Sequence, residues 1–217
     1  MDTNEIEVKF FSKIKKNNDP KYILKKVFFT FSLILCASLV LGMLFCKISV
    51  SSVSDAMKIQ IASHFIDVFD GCRNPTDYFA VIITASNADF RYLVLVFTVG
   101  FTYFCKYAAF ALVGVRGFSV GYSIAFLFMA IKEEALCLRY PSVAFLLFLF
   151  SKIILLILLV YLAVKASLFC DDFHKLRGRK SLMLRSPVIY RYAFFFLTAL
   201  GFVIIVNAGY CVLFSIF

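Results

Sequence analysis

The sequence predicts an all-α, polytopic integral membrane protein with five transmembrane helices. Three observations carry that reading: long uncharged apolar runs, a composition that is 62% hydrophobic with a mean hydropathy of +0.90, and basic residues gathered beside the ends of the runs. A hydrocarbon core of about 30 Å needs about 20 helical residues. Residues 27–46 supply twenty without a charge, and residues 193–217 supply twenty-five. Soluble domains are about 45–50% apolar, so here the bilayer stands in for most of a water-excluding core.

The elements follow in order. Residues 1–26 form a basic cytoplasmic tail with seven lysines against four acids. The run 27–46 exceeds the roughly 7–15 residues of a signal-peptide core and ends in no A-x-A-like cleavage site, so it reads as an uncleaved first transmembrane helix. Residues 47–91 read as an extracytoplasmic helical loop of mixed charge. Within it Val53, Met57, Ile61, Phe65, Val68 and Phe69 recur at helical spacing, which predicts a helix lying along the membrane surface or serving as a docking face. Residues 92–217 read as a four-helix membrane region. Its first span is predicted over Tyr92–Val115, interrupted by Lys106. Arg116, in GVRGFSVGYS, reads as the tip of a tight cytoplasmic turn, with the third span opening at Gly117 and running to Ile131. A polar link over 132–140, an apolar stretch from Pro141 to Phe169, a cytoplasmic basic loop over 165–191 and the last span complete the chain.

Orientation follows from the basic residues. Segments 1–26 and 165–191 each hold seven Lys or Arg, against four in 47–91 and two in 132–140. An excess of Lys and Arg marks the cytoplasmic side, which predicts the N-terminus inside and the C-terminus outside a cell membrane. The formal net charge of +10 is thereby assigned to membrane lipid, since basic residues beside span ends meet anionic headgroups at about 1 kcal/mol each. No aromatic–basic interleaving points to nucleic acid.

The search for chemistry is mostly negative. His64 and His174 fall on opposite sides in this topology, and no H-E-x-x-H, G-x-S-x-G or phosphate-loop motif occurs. No acid lies inside a predicted span, which argues against an acidic proton relay. Seven cysteines lack C-x-x-C spacing. The expectation is no catalytic residue, no metal, no cofactor and no enzymatic activity.

Two features stand above lipid-facing filler. Gly114, Gly117, Gly121 and Ala125 place small residues on one helical stripe, a face for packing within the molecule, against a partner's span or in a homo-oligomer. The second feature is a pair of intramembrane lysines, Lys106 and Lys152. An uncompensated lysine at mid-helix costs about 2.5–3.5 kcal/mol. One reading sets the lysines away from the span centres and makes Ser151-Lys152 a break between a short re-entrant helix, Val143–Phe150, and the fourth span, with the ammonium satisfying freed carbonyls. The others are an anion path lined by both lysines, and snorkelling. Asn207 reads as an interhelical hydrogen-bonding residue.

The layout resembles the stage II sporulation protein M family over roughly residues 20–217. The resemblance rests on a basic tail, one span, a helical outer loop and four further spans. Its most specific pieces are Arg116, Gly117, Gly121 and Tyr122 in RGFSVGYS, and the stretch FSKIILLILLVYLAVKASLF. At that second piece Ser151 and Leu158 stand where the family pattern has prolines, and Lys152 takes its polar place. The resemblance implies a membrane scaffold that assembles with the peptidoglycan-degrading stage II sporulation proteins D and P during forespore engulfment in endospore-forming bacteria. The expected function is therefore anchoring and recruitment of peptidoglycan-remodelling partners. A small transporter or channel subunit using Lys106 and Lys152 is the alternative.

Overall fold

In a lipid interior every backbone amide and carbonyl must find its partner within the protein, which leaves continuous helices as the economical way for an apolar chain to cross. The computed structural model describes residues 20–50, 78–132, 142–177 and 187–216. They form five helices: α1 (Pro20–Val50), α2 (Tyr78–Val99), α3 (Cys105–Lys132), α4 (Ser142–Arg177) and α5 (Pro187–Ile216). Each is long and apolar enough to cross a membrane. Proline opens α1 and α5, where its missing N–H and fixed φ suit the first helical turn. The amphipathic stripe over 53–69, His64, Cys72 and residues 133–140 of the polar link lie outside the described residues.

The number of helices agrees with the sequence reading, but the second and third are shifted. Helix α2 begins at Tyr78, inside the stretch expected as outer loop, and ends at Val99. The reversal comes at Gly100–Phe104, so the expected span over Tyr92–Val115 contains a turn. The cytoplasmic turn expected at Arg116 is therefore corrected: Arg116 sits well inside α3. The turn is closed by local bonds. Gly100 N–H donates to Phe97 O at 3.1 Å, and the Thr102 hydroxyl donates to Val99 O at 2.8 Å. Glycine is needed there because a Cβ on Gly100 would stand 2.9 Å from Tyr192 Cζ. The Tyr192 hydroxyl donates to Phe97 O at 3.1 Å, and its ring stacks between Phe97 and Phe169 with centroids 4.9 and 4.2 Å away. The apolar turn is thus pinned to α4 and α5 by aromatic packing.

The break expected at Ser151-Lys152 is also corrected, because α4 runs unbroken from Ser142 to Arg177. The Ser151 hydroxyl donates back to Phe148 O at 2.7 Å. That bond satisfies a buried hydroxyl inside a helix without opening it.

Helices α1 and α3 lie side by side and parallel. Phe31 meets Phe110 at one end, with ring centroids 4.4 Å apart, and Ser49 meets the Tyr122 hydroxyl at the other, 3.3 Å away. Antiparallel α2 and α5 meet through Tyr192 near one end and Asn207 further along. One buried cluster centres on Val96, Val113, Leu162 and Val203, and a smaller one on Cys46, Phe126 and Cys211. Many outward side chains, among them Phe29, Leu41, Ile157 and Ile205, are exposed apolar groups, as a lipid-facing surface requires.

Candidate functional site

Halfway along α2, Asp89 turns inward and is buried, only 6% exposed. Arg116 from α3 and Lys152 from α4 both reach it. Arg116 Nη2 ion-pairs with Asp89 Oδ1, and Lys152 Nζ lies 3.2 Å from Asp89 Oδ2. Each oxygen of one carboxylate thus receives a different cation, and three helices are tied at one point.

The charges do not cancel. Two cations share one carboxylate, leaving a formal +1 inside the bundle. Aromatic faces supply part of the missing compensation. The Arg116 guanidinium lies 5.0 Å from the centre of the Tyr92 ring, and Lys152 Nζ lies 5.6 Å from that of Phe148. The negative face of a ring attracts a cation more strongly where water is excluded. Apolar side chains, including Val120, Leu155, Leu156, Leu159 and Val203, close around the cluster. The remaining cavity is about 10 Å³, at the lower limit for a single water molecule. Nearby, buried Asn207 of α5 donates from Nδ2 to Ser86 Oγ of α2 at 3.1 Å, and also to its own helix at Val203 O. The expected interhelical role of Asn207 agrees with that geometry. A polar layer therefore joins α2 to α3, α4 and α5.

The two singled-out lysines separate. Lys106 is the second residue of α3, half exposed, with Nζ 3.0 Å from Asp171 Oδ1 of α4. It stands at a helix end, not at mid-span. Lys152 belongs to the buried cluster, so no common path lined by both lysines is formed among the described residues.

The small-residue stripe is an internal interface over most of its length. A Cβ on Gly121 would collide with the backbone of Leu39, and one on Gly117 with Ser38 and Leu35. Gly42 of α1 reciprocates against the Phe118 and Tyr122 backbone of α3. Gly114 is looser, with only Ile34 Cγ2 nearby at 3.8 Å, and Ala125 packs against the second buried cluster. Close backbone approach at small residues is how helices associate without a hydrophobic drive between them.

Sequence reasoning missed Asp89 and, with it, the partner of Lys152. The expectation that no acid lies inside a span is overturned. The available signal was the apolar run from Phe79 to Thr84, separated from Tyr92–Val99 by a polar patch holding Asn87, Asp89 and Arg91.

Five apolar helices around a mid-span ion cluster define the build of a multi-pass membrane protein. No protein-family model, curated protein or solved structure matches the chain.

Proposed function

We propose that this chain is a multi-pass scaffold of the cell membrane, with its N-terminus inside and C-terminus outside, that anchors and recruits peptidoglycan-remodelling partners. By the resemblance of its layout, those partners are of the kind represented by stage II sporulation proteins D and P, and the setting is forespore engulfment. The observation that carries the scaffold reading is the closed centre. Lys152 is spent on an ion pair with Asp89 beside a cavity of about 10 Å³, while Lys106 is paired at a helix end. Such a core holds helices in place and offers no room to a solute. The helix boundaries also support the orientation. The start of α1, the α2–α3 turn, the end of α4 and the start of α5 share one end of the bundle. Lys25 and Lys26 of α1, Lys106, Lys165 and Arg191 stand toward that end. In the sequence, residues 51–77 join α1 to α2 and hold Lys58 and Arg73 against Asp55, Asp67, Asp70 and Asp77.

The transporter or channel reading has one observation in its favour, the surplus positive charge among Asp89, Arg116 and Lys152. A membrane pull-down of the tagged chain during wall remodelling, read by mass spectrometry, separates the two. Enrichment of wall-degrading enzymes is expected. Their absence, together with anion flux through vesicles containing the purified chain, would replace the scaffold with the conduit.

A further inference from the structure

At the basic end of the bundle, an open groove of about 980 Å³ lies beside α4 and α5. Lys165 and Arg191 stand along it, and Phe194 and Leu197 extend its wall into the lipid-facing surface. Lys165 Nζ is held over two rings, 4.8 Å from the centre of Phe195 and 5.3 Å from that of Tyr161. Arg191 is exposed, one turn from the start of α5. Among the described residues, neither cation has a carboxylate within ion-pairing distance, in contrast to Lys106, Arg116 and Lys152. Lys165, held over its two rings, and exposed Arg191 thus stand at one edge of an apolar, outward-facing groove without a carboxylate partner among the described residues.

We infer that this groove binds an anionic phospholipid, with its phosphate between Lys165 and Arg191 and an acyl chain along Phe194 and Leu197. Charge complementarity and position select that occupant. The arginine fork matches phosphate oxygens, and lysine acts as a point charge beside it. Basic pockets next to transmembrane helices are suited to acidic headgroups. The groove opens sideways, where a lipid, unlike a dissolved metabolite, can bring both a charge and a hydrocarbon tail. The site is separate from the Asp89 cluster and does not depend on the scaffold reading.

Native mass spectrometry of the full-length protein in neutral detergent tests this. Phosphatidylglycerol and phosphatidylcholine with identical acyl chains are the probes. Wild type should retain phosphatidylglycerol preferentially. Lys165→Gln with Arg191→Gln should weaken retention about thirty-fold, the ratio given by about 1 kcal/mol for each basic residue lost. Lys106→Gln, at the same end but outside the groove, should retain the lipid as wild type does. If the double variant does not fold, Arg191→Gln alone, at an exposed position, should weaken retention about five-fold. Lys165→Arg with Arg191→Lys should restore binding, because it preserves both charges. Equal retention of the two lipids, unchanged retention in the glutamine variants, or displacement by 10 mM inorganic phosphate would overturn the proposal. The last result would mark a simple anion site.

Discussion

Removing the carboxylate at Asp89 should be far more damaging than removing one of its cations. In Asp89→Asn, Arg116 and Lys152 keep their positions but lose the oxygens that hold them together. Both cations contact one carboxylate, and two like charges about 6 Å apart at an effective dielectric of about 20 repel by about 3 kcal/mol. Breaking a buried ion pair from one side typically costs about 3–5 kcal/mol, and the same range is expected here. Lys152→Met does the reverse. It leaves the Arg116–Asp89 pair formally neutral, with the guanidinium still over Tyr92, and should change stability by less than about 1 kcal/mol. Adding Lys152→Met to Asp89→Asn removes the like-charge repulsion and should recover about 2–3 kcal/mol. Unfolding of the purified chain in mixed detergent micelles, followed by helical circular dichroism, gives all three values. Equal losses for Asp89→Asn and Lys152→Met would refute the reasoning, as would an Asp89→Asn protein of wild-type stability.

Three further outcomes are expected. Gly121→Ala should lose about 1–3 kcal/mol because its Cβ meets the Leu39 backbone, whereas Gly114→Ala, in open packing, should be neutral or stabilising; the same unfolding assay compares them. Tyr192→Phe removes the hydroxyl donated to Phe97 O and should cost about 0.5–1.5 kcal/mol, measured as a fall in thermal stability, with the stacked ring retained. A membrane-impermeant thiol reagent applied to intact cells should label a cysteine placed within residues 51–77 and leave one placed within 178–186 unlabelled; the opposite pattern would invert the proposed orientation.

The parts of this fold that were legible in the sequence are those that depend on a single helix. The apolar runs within α1, α4 and α5 stand out by length alone, and the glycine stripe of α3 announces a close-packed face. The start of α2 was hidden because Asn87, Asp89 and Arg91 lower the apolar content of its middle. The α2–α3 turn was hidden for the opposite reason: Phe101, Thr102, Tyr103 and Phe104 carry no charge and read as continuing membrane. With the turn misplaced, Arg116 looked like a loop residue and Lys152 looked unpaired. The pairing of Asp89 with Arg116 and Lys152 spans 27 and 63 residues of chain. A hydropathy pattern records three separate interruptions there, although in space one carboxylate pairs with both cations. The same shift sets Lys106 at the end of α3, in keeping with the reading that it is not central, since its distance from the turn decides whether it is buried or interfacial.

The centre of the bundle is a closed charge cluster, with both cations drawn onto Asp89. Water access at the cavity wall measures that directly. Val120→Cys and Leu156→Cys both line the cavity. The purified variants, reconstituted in vesicles, are treated with a water-soluble thiol reagent from each side, and modified residues are identified by mass spectrometry. Neither introduced cysteine should react from either side under conditions that fully label a cysteine within residues 51–77. Modification of Val120→Cys or Leu156→Cys from the aqueous phase would show a water-filled path reaching Asp89, Arg116 and Lys152, and would contradict the closed-core account.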